Sequence, residues 1–154
     1  MTPIVHAPLG GVVIDVEDVP DPVFAGAIIG PGFAILPDAE ERVTQVRAPV
    51  SGLVSAFHPH AFVISAEGEA PVLVHLGIDT VDLKGEGFTA FASEDEPVRQ
   101  GDPLIEWDLG VARAADLPTV VPVIALSPAA RVTRMVDAGA RVEAGEPVAD
   151  FALG

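Results

Sequence analysis

Glycine and proline interrupt this sequence so often that few segments are long enough to form a helix. The 154-residue chain contains 15 of each, and short clusters of Val, Ile and Phe lie between them. Such clusters, bounded by turn-forming residues, are typical of strands. The predicted strands include residues 12–16, 53–57, 61–64, 72–76 and 103–107.

Helix is predicted in only two short segments, residues 22–29 and 111–117. The proline-rich stretch 118–128 is too apolar for a linker, so we expect buried strands there. No segment has the composition of a domain boundary. The pattern therefore predicts a single all-β domain over residues 1–154, a β-barrel or β-sandwich with short helical turns.

The composition excludes several classes of protein. Hydrophobic residues make up 49% of the chain, and the mean hydropathy of +0.45 excludes a disordered chain. Eight basic residues against 23 acidic ones give a net charge of −15, which disfavours nucleic-acid binding. There is no cysteine, no basic side chain before Arg42 and no apolar run long enough to span a bilayer. We therefore expect a cytoplasmic protein without disulfides, membrane insertion or nucleic-acid partners.

Two sequence motifs occur twice. Residues 7–13 (APLGGVV) are similar to residues 48–54 (APVSGLV), and residues 98–103 (VRQGDP) are similar to residues 142–147 (VEAGEP). The two pairs have nearly the same offset along the chain. This arrangement predicts a duplicated β-motif that shares one core.

Two histidines flank a predicted β-hairpin whose turn is centred on Glu67 and Gly68. With a two-residue turn at this point, His60 lies directly opposite His75. Directly opposed side chains project from the same face of a sheet, with Cβ atoms about 4.5–5.5 Å apart. The spacing therefore predicts a pair of neighbouring imidazoles.

A pair of imidazoles has three uses, and the residues alone leave all three open. They can bind a metal, form an acid/base pair, or supply a nucleophile beside a group that holds an anion. Asp79 follows His75 by four residues, just after Gly77, which permits a sharp bend. Its carboxylate either tunes an imidazole or caps the turn.

Residues 75–88 (HLGIDTVDLKGEGF) resemble the active-site signature of the glucose-type IIA component of the bacterial sugar phosphotransferase system. The resemblance continues in order along nearly the whole chain, through residues 7–9, 17–25, 60–62, 101–108 and 119–123. It implies a β-sandwich of the duplicated hybrid motif type, in agreement with the repeated motifs. It also implies a phosphocarrier. We expect a monomer without a cofactor, and a free subunit, since no permease domain follows in the sequence.

The resemblance assigns roles to individual residues. His75 would accept a phosphoryl group on Nε2 from the carrier protein HPr and pass it to the IIB domain of a glucose- or N-acetylglucosamine-type permease. The Gly77 carbonyl would hold the Nδ1 proton, and His60 would hydrogen-bond the phosphoryl oxygens. Asp21 and Asp79 match carboxylates that flank the family's site.

The resemblance also implies an apolar docking surface for these partners, formed by Val23, Phe24, Ile28 and Ile29. The sequence departs from the family pattern beside the site. His58 stands where familiar members have a threonine, and the segment is one residue shorter than in those members. The membrane-contacting tail of some members is not expected, because only residues 1–6 precede the first matching block.

Two other functions compete with the phosphocarrier. His58, His60, His75 and Asp79 are ligand types that suit zinc, as in hydrolases of the LytM type, although the two motifs occur here in reversed order. A swinging-arm domain would need a lysine at a hairpin tip, and the only lysine, Lys84, lies inside the signature instead. For a phosphocarrier we expect no metal beyond adventitious zinc on His60 and His75.

Overall fold

The computed structural model describes residues 4–153. Within this range the chain forms fourteen strands and two short α-helices, joined by turns and by two 3-10 helices, Val16–Asp18 and Thr80–Leu83. The helices are α1 (Pro22–Ala25) and α2 (Leu109–Ala114). The strands are β1 (Ile4–His6), β2 (Gly11–Asp15), β3 (Gly32–Leu36), β4 (Val43–Arg47), β5 (Gly52–His58), β6 (Ala61–Ser65), β7 (Val72–His75), β8 (Phe88–Ala90), β9 (Pro97–Val98), β10 (Pro103–Asp108), β11 (Val121–Ala125), β12 (Arg131–Arg134), β13 (Arg141–Val142) and β14 (Pro147–Ala152).

The strands form three antiparallel sheets. The large sheet has the order β13-β2-β3-β11-β7-β6-β5-β9, and the two small sheets have the orders β1-β14-β12 and β4-β10-β8. Side chains from all three sheets meet in the main buried core, including Phe62, Trp107 and Phe151. The predicted all-β architecture is therefore confirmed, and the five predicted strands agree with observed ones to within one residue at each end.

The duplicated motif is confirmed by matching backbone hydrogen bonds. The N–H of Gly145 donates to the carbonyl of Ala7, and the N–H of Gly101 donates to the carbonyl of Ala48, both at 2.9 Å. The return bonds, from the N–H groups of Ala7 and Ala48, reach the residue after each glycine at 2.8 and 2.9 Å. Each copy of the first motif thus pairs with one copy of the second.

The helices are shorter than predicted or displaced. The first ends at Ala25, because Ala27 adopts a positive φ of 51° that breaks the helical path. The second begins at Leu109, since the Asp108 carboxylate accepts a hydrogen bond from the N–H of Gly110 and caps the helix there. No helix within residues 4–153 is long and apolar enough to cross a bilayer.

The predicted strand in the proline-rich segment is β11, and all five of its residues are buried. Both faces of the large sheet are covered at this point. Phe33 and Ile35 point into the main core, whereas Ala34 joins a second buried cluster on the opposite face. Helix α1 contributes Phe24 to this second cluster, which brings α1 against the end of β7 where the candidate site lies.

The predicted register of the β6–β7 hairpin is wrong by one residue. Ala61, not His60, lies opposite His75. The turn itself forms as expected, with the Glu69 N–H donating to the Ala66 carbonyl at 3.1 Å. The extra residue lies on the β7 side of the turn, where Pro71 has no N–H to offer the ladder, so pairing begins only at Val72.

Candidate functional site

His60 and His75 are neighbours despite the shifted register. Their ring centroids are 5.1 Å apart, with the ring planes at 76° in an edge-to-face arrangement. A one-residue shift within regular strands would place the two rings on opposite faces. The alternation of side chains between the two faces does not apply to His60, because this residue lies in the two-residue turn between β5 and β6, outside the regular strands. The N–H of Leu76, the residue after β7, donates to the His60 carbonyl at 2.7 Å and fixes the turn beside His75.

One nitrogen of His75 is occupied by the backbone. Its Nδ1 lies 2.5 Å from the Gly77 carbonyl oxygen, and since a carbonyl only accepts, Nδ1 carries the proton. The Nε2 lone pair is therefore free. Gly77 has a φ of +81°, and a Cβ at this position would come within 2.7 Å of the Pro118 carbonyl oxygen and of Thr80 Cγ2. Only glycine fits both the backbone conformation and the space.

Thr80, for which the sequence predicted no role, holds closed the loop that follows β7. Its fully buried hydroxyl donates a 2.6 Å hydrogen bond to the carbonyl of Leu76. The N–H of Ile78 donates to the Pro118 carbonyl at 3.0 Å, which ties the loop to the start of the next segment. The available signal was the spacing, because Thr side chains commonly bond to a carbonyl four residues back.

The two predicted carboxylates lie in different surroundings. Asp21 caps α1, accepting a hydrogen bond from the N–H of Val23 at 2.9 Å. Asp79 is exposed, adopts a positive φ of 62°, and its side chain accepts no hydrogen bond from the 3-10 helix that it precedes. The capping role considered for Asp79 is therefore wrong. Both carboxylates favour the protonated form of His75 electrostatically.

Burial keeps both imidazoles neutral near pH 7. It lowers the pKa of His75 below the ordinary 6.5, although the hydrogen bond to Gly77 and the charges of Asp21 and Asp79 act in the opposite direction. The pKa of His60 falls to about 4, chiefly through burial and also through the charges of His75 and His58. A neutral imidazole with a free nitrogen is a competent nucleophile.

The four residues predicted to form a docking surface divide into two pairs. Phe24 is buried, and its ring centroid lies 5.3 Å from that of His75, so it packs beneath the site. Ile29 is half-buried against the same cluster. Val23 and Ile28 are exposed, with 41% and 66% of their surface accessible. Of these four residues, only Val23 and Ile28 are therefore exposed enough to form the predicted docking surface.

His58 adds a third imidazole next to His60. The centroids of their two rings are 5.9 Å apart, and His58 is exposed. In the part of the chain that the structure describes, no group of three or more His, Cys, Asp or Glu side chains is arranged to hold a metal ion. His58, His60, His75 and Asp79 therefore do not form the zinc site that the hydrolase alternative requires.

The chain matches known proteins over most of its length. Residues 4–131 match the family model of the phosphoenolpyruvate-dependent sugar phosphotransferase system, EIIA 1. The glucose-specific EIIA component of Halalkalibacterium halodurans is 44% identical over 123 residues, which cover 79% of this chain and 69% of that protein. The corresponding component of Haemophilus influenzae is 36% identical over 146 residues, which cover 94% and 85%.

A solved structure gives the same result for the fold. Glucose permease IIA from Mycoplasma capricolum superposes with a TM-score of 0.83 at 35% sequence identity, and the match covers 96% of this chain and 94% of that one. These matches confirm the family resemblance and the β-sandwich fold, and they leave the zinc hydrolase and swinging-arm alternatives without support. The chain belongs to the EIIA 1 family of the phosphoenolpyruvate-dependent sugar phosphotransferase system and is a phosphotransfer component of that system.

Proposed function

We propose that His75 carries the phosphoryl group, on Nε2. The observation that supports this assignment is the hydrogen bond between Nδ1 and the Gly77 carbonyl, because it leaves Nε2 as the nitrogen with a free lone pair. The attacking nitrogen is thus selected by the backbone before any partner arrives. Phosphoryl transfer depends mainly on positioning and on charge stabilisation, and the closed loop after β7 supplies the positioning.

The donor is phospho-HPr, and the acceptor is the IIB domain of a sugar permease. In the first transfer, the Nε2 lone pair of His75 forms a P–N bond while the donor's P–N bond breaks. The donor imidazole leaves with the electron pair of the broken bond, and the proton of His75 stays on Nδ1, hydrogen-bonded to the Gly77 carbonyl. The second transfer reverses these roles. The names of the relatives, glucose-specific components, favour a glucose-type IIB domain over an N-acetylglucosamine-type one.

His60 binds the transferred group. Its ring lies against that of His75, and its pKa of about 4 keeps it neutral at pH 7. A neutral imidazole still carries one N–H, which can donate to a phosphoryl oxygen. A neutral donor stabilises the phosphoryl group less strongly than a cation does, so the group is held but remains transferable.

The carboxylates act on the departure of the phosphoryl group, and the apolar surface acts on the docking of the partners. Asp21 and Asp79 place negative charge near His75, and this charge repels a phosphoryl dianion and favours its departure. Val23 and Ile28 provide the centre of the docking surface, and the net charge of −15 suits partners with a basic rim.

The remaining expectations belong to this proposal. They are a single carrier domain over residues 1–154, whose outermost residues lie outside the described range, a monomeric state and a cytoplasmic location. The family assignment supports them, because the carrier must meet two protein partners in turn.

The test is phosphorylation by phosphoenolpyruvate, enzyme I and HPr, followed by intact mass measurement. We expect one acid-labile phosphoryl group on the wild type, none on His75→Ala, and full labelling of a His6→Ala control. His60→Gln should slow both transfers at least about tenfold, since the same hydrogen bond to the phosphoryl group is altered in both transition states. Labelling of His75→Ala at the wild-type level would contradict the assignment.

A further inference from the structure

The ring of His60 is not held in place by a hydrogen bond of its own. The Nδ1 of His75 is bound to the Gly77 carbonyl, whereas the His60 side chain forms no hydrogen bond or ion pair with any residue in the range 4–153. Its aromatic contacts are with His58 and His75. The direction in which the His60 ring points is therefore set by the backbone that carries it.

That backbone is a two-residue hairpin turn. His58, the last residue of β5, pairs with Ala61, the first residue of β6, so Pro59 and His60 are the two central residues. Two-residue hairpin turns favour types I′ and II′, which match the twist of the strands and have a positive φ at the first central residue. The ring of proline fixes φ at about −65°. Pro59 therefore excludes both favoured types.

The observed turn has the opposite hand to the favoured types. The φ of His60 is negative as well, as in a type I turn. Such a turn does not follow the twist of a hairpin and tends to splay the two strands. The turn is held from outside, because the Leu76 N–H donates to the His60 carbonyl at 2.7 Å. The loop after the second 3-10 helix also borders it, since a Cβ on Gly85 would lie 3.6 Å from the Cγ of Pro59.

Building on the proposed role of His60, we propose that Pro59 is a positioning residue for phosphoryl transfer. By excluding the turns of the favoured hand, it keeps the His60 ring beside that of His75, at the observed spacing of 5.1 Å. A positive φ at position 59 would reverse the hand of the turn and change the direction of the Cα–Cβ bond of His60. Pro59 is exposed, so its ring is not part of the buried core. It acts on the phosphoryl group through the backbone of His60.

Glycine and alanine at position 59 separate the hand of the turn from the presence of the proline ring. Pro59→Gly permits a type II′ turn, which has glycine at the first central position. Pro59→Ala removes the ring but keeps the preference for a negative φ, because a positive φ is unfavourable for a residue with a Cβ. The proposal therefore predicts a loss of transfer in the glycine variant that the alanine variant does not share.

Pro128 provides the matched control. It is exposed and is the second residue of a turn in which the Ala130 N–H donates to the Ser127 carbonyl at 3.0 Å. This turn follows the end of β11 that pairs with Val72 at the start of β7, whereas His75 is the last residue of β7. Pro128→Gly and Pro128→Ala thus report the effect of losing a turn proline away from the site.

The experiment is rapid-quench phosphorylation by phospho-HPr over a range of donor concentrations, which gives the maximum rate and the half-saturating concentration separately. We expect Pro59→Gly to lower the maximum rate about fivefold and to leave the half-saturating concentration unchanged, because a misdirected imidazole impairs transfer and not docking. Pro59→Ala should retain most of the wild-type rate, and both Pro128 variants should equal the wild type.

Two further measurements show whether Pro59 acts through His60. Proton NMR should detect cross-relaxation between the ring protons of His60 and His75 in the wild type and in Pro59→Ala, and much less of it in Pro59→Gly. The double variant Pro59→Gly/His60→Gln should be no slower than His60→Gln alone, since both substitutions remove the same contribution.

Equal maximum rates for Pro59→Gly and Pro59→Ala would overturn the inference, as would an additional loss in the double variant. A loss in Pro128→Gly as large as that in Pro59→Gly would overturn it too. Thermal unfolding should show similar decreases in Tm for the two glycine variants, because glycine adds freedom to the unfolded chain in both. A His60→Gln variant as fast as the wild type would contradict the proposed role of His60 and this inference with it. A wild type that phospho-HPr does not label would contradict the role of His75.

Discussion

The hydroxyl of Thr80 donates a 2.6 Å hydrogen bond to the carbonyl of Leu76, and this bond closes the loop that presents the Gly77 carbonyl to His75. Thr80 is fully buried, although it contacts neither partner nor phosphoryl group in the proposed mechanism. Its side chain therefore acts on the nucleophile through the backbone. The orientation of His75 depends on a residue outside the histidine pair.

Thr80→Val should loosen this loop. Valine keeps the shape of the side chain but leaves the buried Leu76 carbonyl without its partner, at a cost of about 1–3 kcal/mol in the free energy of unfolding. The rate of phosphorylation by HPr should fall as well. Urea denaturation and single-turnover labelling measure the two effects, with Thr89→Val, an exposed threonine on β8, as the control. Equal behaviour of the two variants would show that the hydrogen bond has no role.

Gly77→Ala tests the backbone that selects the nitrogen. The added Cβ meets the Pro118 carbonyl oxygen at 2.7 Å in addition to the strain of a positive φ. Gly68 has a similar φ of +78°, but a Cβ there would have nothing within 4 Å, so Gly68→Ala isolates the strain alone. We expect Gly68→Ala to cost about 1 kcal/mol of stability and to keep its labelling. Gly77→Ala should cost clearly more and lose most labelling, and similar losses in both variants would rule out the steric argument.

The pH dependence of stability should show the burial of His60. Its pKa is about 4 in the folded protein against 6.5 as the ordinary value, so between these limits the unfolded chain binds more protons. Stability from this group is complete above pH 6.5 and declines as the pH falls towards 4. Because the ring is half-exposed and screened by solvent, the loss is on the order of 1 kcal/mol. Urea titrations of wild type and His60→Gln at pH 7 and pH 4.5 should show a smaller loss of unfolding free energy at pH 4.5 in the variant. An equal loss in both proteins would refute the lowered pKa of His60.

Ile28→Ala should weaken docking without weakening the fold. Ile28 is 66% exposed, so its removal costs little core packing. We expect KM for phospho-HPr to rise about fivefold, the effect of roughly 1 kcal/mol at an interface, with Tm unchanged. The matched control is Met135→Ala, a residue that is 54% exposed next to the far strand β12. If both substitutions leave KM unchanged, the docking surface lies elsewhere.

Phe24→Ala, in contrast to Ile28→Ala, should weaken the fold. Phe24 is 7% exposed and touches the His75 ring, so its truncation leaves a cavity under the site and costs about 3 kcal/mol of unfolding free energy. Labelling should slow because the ring of His75 loses a wall of its pocket. Calorimetry and labelling kinetics measure both effects, and unchanged stability would mean that Phe24 does not support the site.

The strands were the most predictable part of the fold, because hydrophobic clusters bounded by glycine and proline are local signals. The duplication was equally predictable, since Gly101 and Gly145 occupy equivalent positions in the two copies and donate equivalent backbone hydrogen bonds. Helix limits were less predictable. A positive φ at Ala27 ends α1, and an alanine in the sequence does not predict that conformation.

The members of the candidate site could be read from the sequence, because the signature around His75 and the motif at His60 are each a short run of consecutive residues. How the two histidines meet depends on the tertiary fold. The hairpin register shifted by one residue at Pro71, and the rings came together because His60 lies in a turn that the Leu76 N–H holds in place. Their neutral state also depends on burial, which Phe24 helps to supply from a distant segment. Alternation along a strand is a local property, whereas register and burial depend on where the rest of the chain packs.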